Sequence, residues 1–266
     1  MEGILSVNEL FSGIGAFRKA LIRLGIPHEV VGISEIDRHA IKSYEAIYGA
    51  TRNYGDISKV ERLDYADLWT YGFPCQDISL AGGQAGPVKG VTRSGLLYEV
   101  ERLLWRAKAD GEAPKYLIME NVKNLIGKKF KKDFLAWCDA LEEMGYKNFW
   151  QVLSAADYGV PQRRERLFCV SVRADLGQDF AFPEPVELKK RLIDVLEPAD
   201  EVEERYFLSE TAVAGFIEHT KRSAERGLGY KFQPVERTAE TAKTVTTKEG
   251  LRTYSNFIRE GRSDAV

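Results

Sequence analysis

The stretch ILSVNELFSGIGAFRKALIRL, residues 4–24, decides the fold. An apolar run suited to a strand, 4–10, passes directly into Phe11-Ser12-Gly13-Ile14-Gly15. Phe17, Leu21 and Leu24 then recur at helical spacing until Gly25 and Pro27 end the helix. Strand, glycine turn and helix form the opening unit of a parallel sheet covered by helices. Working outward, the alternation repeats, with strands expected at 28–34, 66–73, 116–119, 149–153 and 167–172 and helices at 37–48, 96–109 and 134–144. An α/β domain with helices on both faces of its sheet is therefore expected over residues 1–180. Past it, AFPEPVELKKRLIDVLEPADEVEE (181–204) turns to proline and charge, so the boundary falls within 182–198 and 181–266 forms a linker and a less regular second region.

Composition narrows the function. The 266 residues are 44% hydrophobic and 29% charged, ordinary for a globular chain. With 38 Lys+Arg against 40 Asp+Glu the net charge is -2, which excludes binding to nucleic acid by bulk positive charge and demands a local patch. The candidate of greatest length is 221–266, with ten Lys/Arg against six Asp/Glu; a solvated loop region explains it equally. No run reaches membrane-spanning length, and the start MEGILSVNELF lacks a basic segment followed by an apolar signal stretch, so the chain reads as intracellular, in the cytoplasm, with no membrane partner. Three cysteines (Cys75, Cys138, Cys169) and three histidines are scattered without metal-ligand or disulfide spacing. No metal is expected, and any cofactor is organic. No internal repeat is visible, which excludes solenoids.

Several residues can carry chemistry. Gly13 and Gly15 let backbone N–H groups approach a ligand at a helix N-terminus, although Arg18 stands where a dinucleotide fingerprint has its third glycine. Glu35, about 20 residues on, suits a ribose diol, and Asp56 in Gly55-Asp56-Ile57 suits an adenine amino group; either can also be a plain helix cap. Cys75, in Gly72-Phe73-Pro74-Cys75-Gln76, follows an apolar strand and falls where open α/β sheets hold their ligands. Its thiolate there is a nucleophile, whereas a lone cysteine elsewhere is a small buried hydrophobe, the reading given to Cys138 and Cys169. Glu120, in Glu120-Asn121-Val122, ends the next strand at the same sheet edge and can donate a proton to a ring nitrogen. Gln162-Arg163-Arg164-Glu165-Arg166 sets Arg164 and Arg166 on one face of an extended segment, suited to phosphates or a carbonyl oxygen, or to a salt-bridged surface.

Taken in order, FSGIG, SEID, GDI, GFPCQ, ENV and QRRER resemble the cytosine-C5 DNA methyltransferase family over about residues 7–172. The resemblance implies a Rossmann-like domain that binds S-adenosylmethionine through Phe11, Gly13, Ile14, Gly15, Glu35, Ile36, Asp56, Ile57, Pro74 and Leu96. It also implies that Cys75 attacks C6 of a cytosine flipped from double-stranded DNA, that Glu120 holds and protonates N3, and that Arg166 with Arg164 contacts O2. The glycine-rich loop 81–93 would close over the base, or is simply a long surface loop.

The chain departs from the family downstream. Residues 206–209 and 241–247 look like the opening of a target-recognition region, but the family's later segments, Leu-Thr-x-Arg-Glu and Gly-Asn-x-Val in type, are missing before Val266. A truncated enzyme, a split enzyme completed by a second polypeptide, and a non-catalytic DNA-binding or regulatory subunit all fit that pattern. A tRNA cytosine methyltransferase is the alternative within the chemistry. A nicotinamide dehydrogenase leaves GFPCQ and QRRER unexplained.

Overall fold

A computed structural model describes residues 3–74, 93–227, 231–245 and 256–259. Cys75, most of the 81–93 loop and Thr246-Thr247 lie outside the described residues. The chain divides into two compact units, the first made of Met1–Leu153 and Arg166–Pro183, the second of Ser154–Glu165 and Glu184–Val266. Residues 154–165 thus fold with the second unit although they lie upstream of the compositional change.

The first unit is built on strands β1 (Leu5–Leu10), β2 (His28–Ser34), β3 (Leu68–Tyr71), β4 (Tyr116–Val122), β5 (Tyr146–Ser154) and β7 (Glu165–Arg173), in the order β2-β1-β3-β4-β7-β5. Strands β2, β1, β3 and β4 run parallel, so the segments leaving their carboxyl ends share one edge of the sheet. Helices α1 (Ala16–Arg23), α2 (Arg38–Tyr48), α3 (Leu97–Ala109) and α4 (Lys131–Glu143) supply the connections. Asp37 caps α2 by accepting from the backbone N–H groups of His39 and Ala40 (2.7 and 2.9 Å), which starts that helix where the sequence places it. A core of Leu10, Trp69, Tyr71, Leu103, Leu117, Met119, Phe134 and Leu141 is buried between sheet and helices.

The parallel arrangement read from the first half of the chain holds for β1 to β4. The sheet is mixed, because β7 pairs antiparallel with β4, Tyr116 opposite Val172 and Val122 opposite Arg166. A parallel return needs a crossover of a dozen or more residues, usually helical, and 155–164 holds only a 3-10 turn (Ala155–Tyr158) and the two-residue strand β6 (Gln162–Arg163). The chain therefore turns back, and β7 fills the place between β4 and β5. The strand expected over 116–119 runs on to Val122, so Glu120 and Asn121, read as ending it, are themselves paired strand residues.

In the second unit, α5 (Glu210–Glu225) is capped by Ser209, whose Oγ accepts from Ala212 N–H (3.2 Å). Strand β8 (Val235–Glu236) pairs with β10 (Ile258–Arg259), and β9 (Ala242–Lys243) runs parallel to β6. Phe216, Phe232 and Phe257 pack mutually, with ring centroids 5.1–5.4 Å apart. Among the described residues no helix is long and apolar enough to cross a membrane.

Candidate active site

The parallel strands gather Phe11, Glu35, Pro74 and Glu120 at one sheet edge. At the end of β1 the backbone turns through positive φ at Phe11 (55°), Gly13 (54°) and Gly15 (79°). Gly13 N–H donates to Glu35 Oε2 (2.8 Å), and Glu35 Oε1 accepts from the N–H groups of Ile36 and Asp37 (both 2.8 Å). Glu35 therefore ties the glycine turn to the end of β2, and its Oε2 keeps a further acceptor site for a ligand hydroxyl. Asp56 caps a short 3-10 turn by accepting from Ser58 N–H and Oγ (3.0 and 2.8 Å), and those bonds hold its carboxyl below the usual range. It is both a cap and a wall of the cavity described next.

A cavity of about 230 Å³ is lined by Phe11, Glu35, Ile36, Asp56, Ile57, Pro74 and Leu96, together with Ser34, Gly55 and Gly72. Two carboxylates among apolar side chains form the acceptor set a nucleoside takes: ring faces lie on carbon, hydroxyl and amino hydrogens on oxygen. The residues fit the adenosine part of S-adenosylmethionine. Gly13, Ile14 and Gly15 are not part of the lining. Gly13 acts through Glu35, Ile14 is exposed, and Gly15 lies beneath α2, where a Cβ would fall 2.5 Å from Tyr48 and 2.7 Å from Tyr44. Among the described residues no group of three or more His, Cys, Asp or Glu side chains is placed to hold a metal ion.

The second part of the site stands on β4. Arg166 Nε donates to Glu120 Oε1 (2.9 Å), across the antiparallel pair. Glu120 Oε2 lies against Gly72, 3.5 Å from where a Cβ would stand, three residues before Cys75. Asn121 is buried. Its Nδ2 donates to the Phe73 carbonyl (3.1 Å) and its Oδ1 accepts from Val122 N–H (2.8 Å), which pins the chain entering Pro74 to β4. Of the two arginines read as a pair, Arg166 pairs with Glu120 within the first unit. Arg164 belongs to the second unit, where its N–H donates to Gln162 O (2.9 Å) and its carbonyl accepts from Ala155 N–H (3.0 Å).

A buried cluster beneath the glycine turn escapes motif reading. Glu9, on β1, is 1% exposed. One oxygen accepts from Arg18 N–H (3.0 Å), the other from the Tyr44 hydroxyl, and Arg18 Nη1 donates to that hydroxyl oxygen (3.2 Å). Tyr48 Oη donates to the Gly15 carbonyl (2.7 Å). Burial pushes the Glu9 carboxyl and the Tyr44 phenol up. The signal available was a carboxylate inside an apolar strand, which needs partners when buried. Cys138 and Cys169 are buried in the core, as read.

A mixed α/β sheet with a cavity at the carboxyl ends of its parallel strands, and an acidic strand end beside it, fits the S-adenosylmethionine-dependent methyltransferase class. The chain belongs to the C-5 cytosine-specific DNA methylase family, whose model matches residues 5–264 and whose methyl donor is S-adenosylmethionine. M2.ScrFI, a type II methyltransferase of Lactococcus lactis subsp. cremoris, is 36% identical over 79% of this chain and 72% of its own length. M.DsaV of Dactylococcopsis salina is 33% identical over 90% of this chain and 66% of its own. The orphan methyltransferase M.Rho11sI of Bacillus phage rho11s is 32% identical over 95% of this chain and 56% of its own. The chain thus spans between 56% and 72% of these relatives. The fold is also that of S. pombe Dnmt2, with a TM-score of 0.70 at 20% identity over 98% of this chain and 78% of that one.

Proposed function

We propose that the chain methylates carbon 5 of a cytosine flipped out of duplex DNA, through a covalent adduct with Cys75. Carbon 5 of cytosine is too electron-poor to attack an alkyl donor unaided, so a nucleophile must first add at C6. The Cys75 thiolate forms that bond, Glu120 delivers a proton to N3, and the electron pair displaced from the C5–C6 double bond makes C5 nucleophilic. Arg166 orients Glu120 and faces the charge developing at O2. S-adenosylmethionine, held by Glu35, Asp56 and the apolar wall around Phe11, supplies a methyl group on a sulfonium sulfur. Loss of the C5 proton to a base then expels the Cys75 sulfur and restores the ring. The observation that carries this reading is the Glu120 carboxylate, held by Arg166 against Gly72 just upstream of Cys75.

The test is transfer of labelled methyl to mixed-sequence duplex DNA. We expect C5 labelling that Cys75→Ala abolishes while S-adenosylhomocysteine still binds; labelling that survives Cys75→Ala would overturn the covalent route. Helix α1 buries no residue; its Ile22 is exposed, as are Ile14 and Leu24 flanking it. We propose that a complementing segment, of the kind that makes the relatives longer, covers this face. Adding such a fragment should raise the initial rate, and a rate unmoved by it would remove the idea.

A further inference from the structure

Beyond Glu120 the chain leaves the sheet edge through Lys123-Asn-Leu-Ile-Gly-Lys-Lys-Phe-Lys-Lys132, five ammonium groups in ten residues. Lys123, Lys128, Lys129, Lys131 and Lys132 are all exposed, and Asp133 is the single acidic residue between Glu120 and Asp139. The segment is a fixed scaffold. Leu125 and Phe130 are buried, Gly127 N–H donates to Asn124 O (2.9 Å), and the N–H groups of Phe130 and Lys131 donate to Gly127 O (both 3.0 Å). Two of the lysines, Lys131 and Lys132, begin α4, where the helix dipole disfavours positive charge, and the neighbouring lysines add like-charge repulsion. Lys129 lies over the Phe130 ring (5.3 Å), but a concentration of charge that works against the helix start at Lys131 and Lys132 suits an external anion. The anion must be close to the chemistry, since Lys123 is three residues from Glu120 and so within about 10 Å along the chain.

We propose that this ridge contacts backbone phosphates of duplex DNA flanking the target cytosine, and so supplies the local attraction that a chain of net charge -2 needs. The inference rests on the reading that a flipped cytosine is held at Glu120.

The experiment measures affinity for a fluorescent 20-base-pair duplex across a salt series, with S-adenosylhomocysteine present, for the full chain and its K128Q/K131Q/K132Q variant. Each lost phosphate contact should lower the slope of log K against log salt by about 0.9, so the slope should fall by about 2–3, and equally on duplexes of unrelated sequence. The K19Q/R23Q/K42Q variant, which removes the same charge from another surface, should keep the full slope. Unchanged S-adenosylhomocysteine affinity and melting temperature in both variants would locate the loss at the DNA. A slope unchanged in the first variant, or lowered equally in both, overturns the surface alone. Wild type that binds no duplex at any salt overturns the proposed function with it.

Discussion

Asn121 joins the two strand ends on which the proposed chemistry depends, since its amide holds the Phe73 carbonyl while its backbone carries β4 onward from Glu120. Asn121→Leu strands that buried carbonyl and should cost about 1–3 kcal/mol in urea unfolding, with kcat falling far more than the KM for S-adenosylmethionine. A variant with wild-type kcat would show that the bond does not position Cys75. Tyr44→Phe removes a donor to buried Glu9. Because burial raises the folded carboxyl above its value of 4.5 in the unfolded chain, stability is lost as pH rises through the folded value, where the carboxylate must be held charged. The penalty for Tyr44→Phe should therefore be larger at pH 7 than at pH 4, read from urea midpoints at both. Glu120 and Asp56 were legible because they sit in short motifs, Glu120 at the end of an apolar strand and Asp56 in Gly55-Asp56-Ile57. Glu9 was not, since nothing in the sequence states that Tyr44, 35 residues away, arrives to satisfy it.

At the level of elements, the two glycines of the opening turn separate by their surroundings. Gly15→Ala forces a Cβ to within 2.5 Å of Tyr48 at φ 79°, whereas at Gly13 the space within 4 Å is empty. Gly13→Ala should cost about 1–2 kcal/mol for its left-handed backbone alone, and Gly15→Ala clearly more, by about 1–3 kcal/mol for the overlap. Thermal melts of the pair check this, and equal losses would refute the packing argument. Helix and strand positions were legible from period and caps, as the Asp37 cap of α2 illustrates. Strand direction was not. Leu167, Cys169 and Ser171 are buried alternately on β7, and alternation reads the same in either direction. The polar opening Lys131-Lys132-Asp133 likewise hid the first turn of α4, and with it a lysine-rich stretch.

For the whole molecule, Asp67 links distant parts of the first unit. It accepts from Ser6 N–H and Oγ on β1 (3.2 and 2.7 Å), from Tyr65 Oη (2.9 Å) and from Lys115 Nζ beside β4 (2.8 Å). Burial works against its charge, but these partners outweigh it and hold the carboxyl at about 2, against 3.8. A depressed value means stability that is present above pH 4 and lost as pH falls through 2, about 2 kcal/mol in all. The stability gap between wild type and Asp67→Asn should accordingly close between pH 4 and pH 2, and a gap independent of pH would deny the linkage. The change in composition near residue 182 announced a second region, yet nothing in the composition of 154–165 announced that this segment folds with it.

The place of β7 between β4 and β5 also has a consequence for how the molecule assembles. In chain order β5 is made before β7, yet β7 must lie between it and the rest of the sheet. A growing chain can therefore lay down the cofactor cavity from β1 to β4 while β5 still lacks its neighbour. The Glu120–Arg166 pair forms only when the last strand slides into that gap. Closing this long sequence separation is entropically slow, so the acid of the site should be the last part to reach its working geometry, well after the pocket beside it exists.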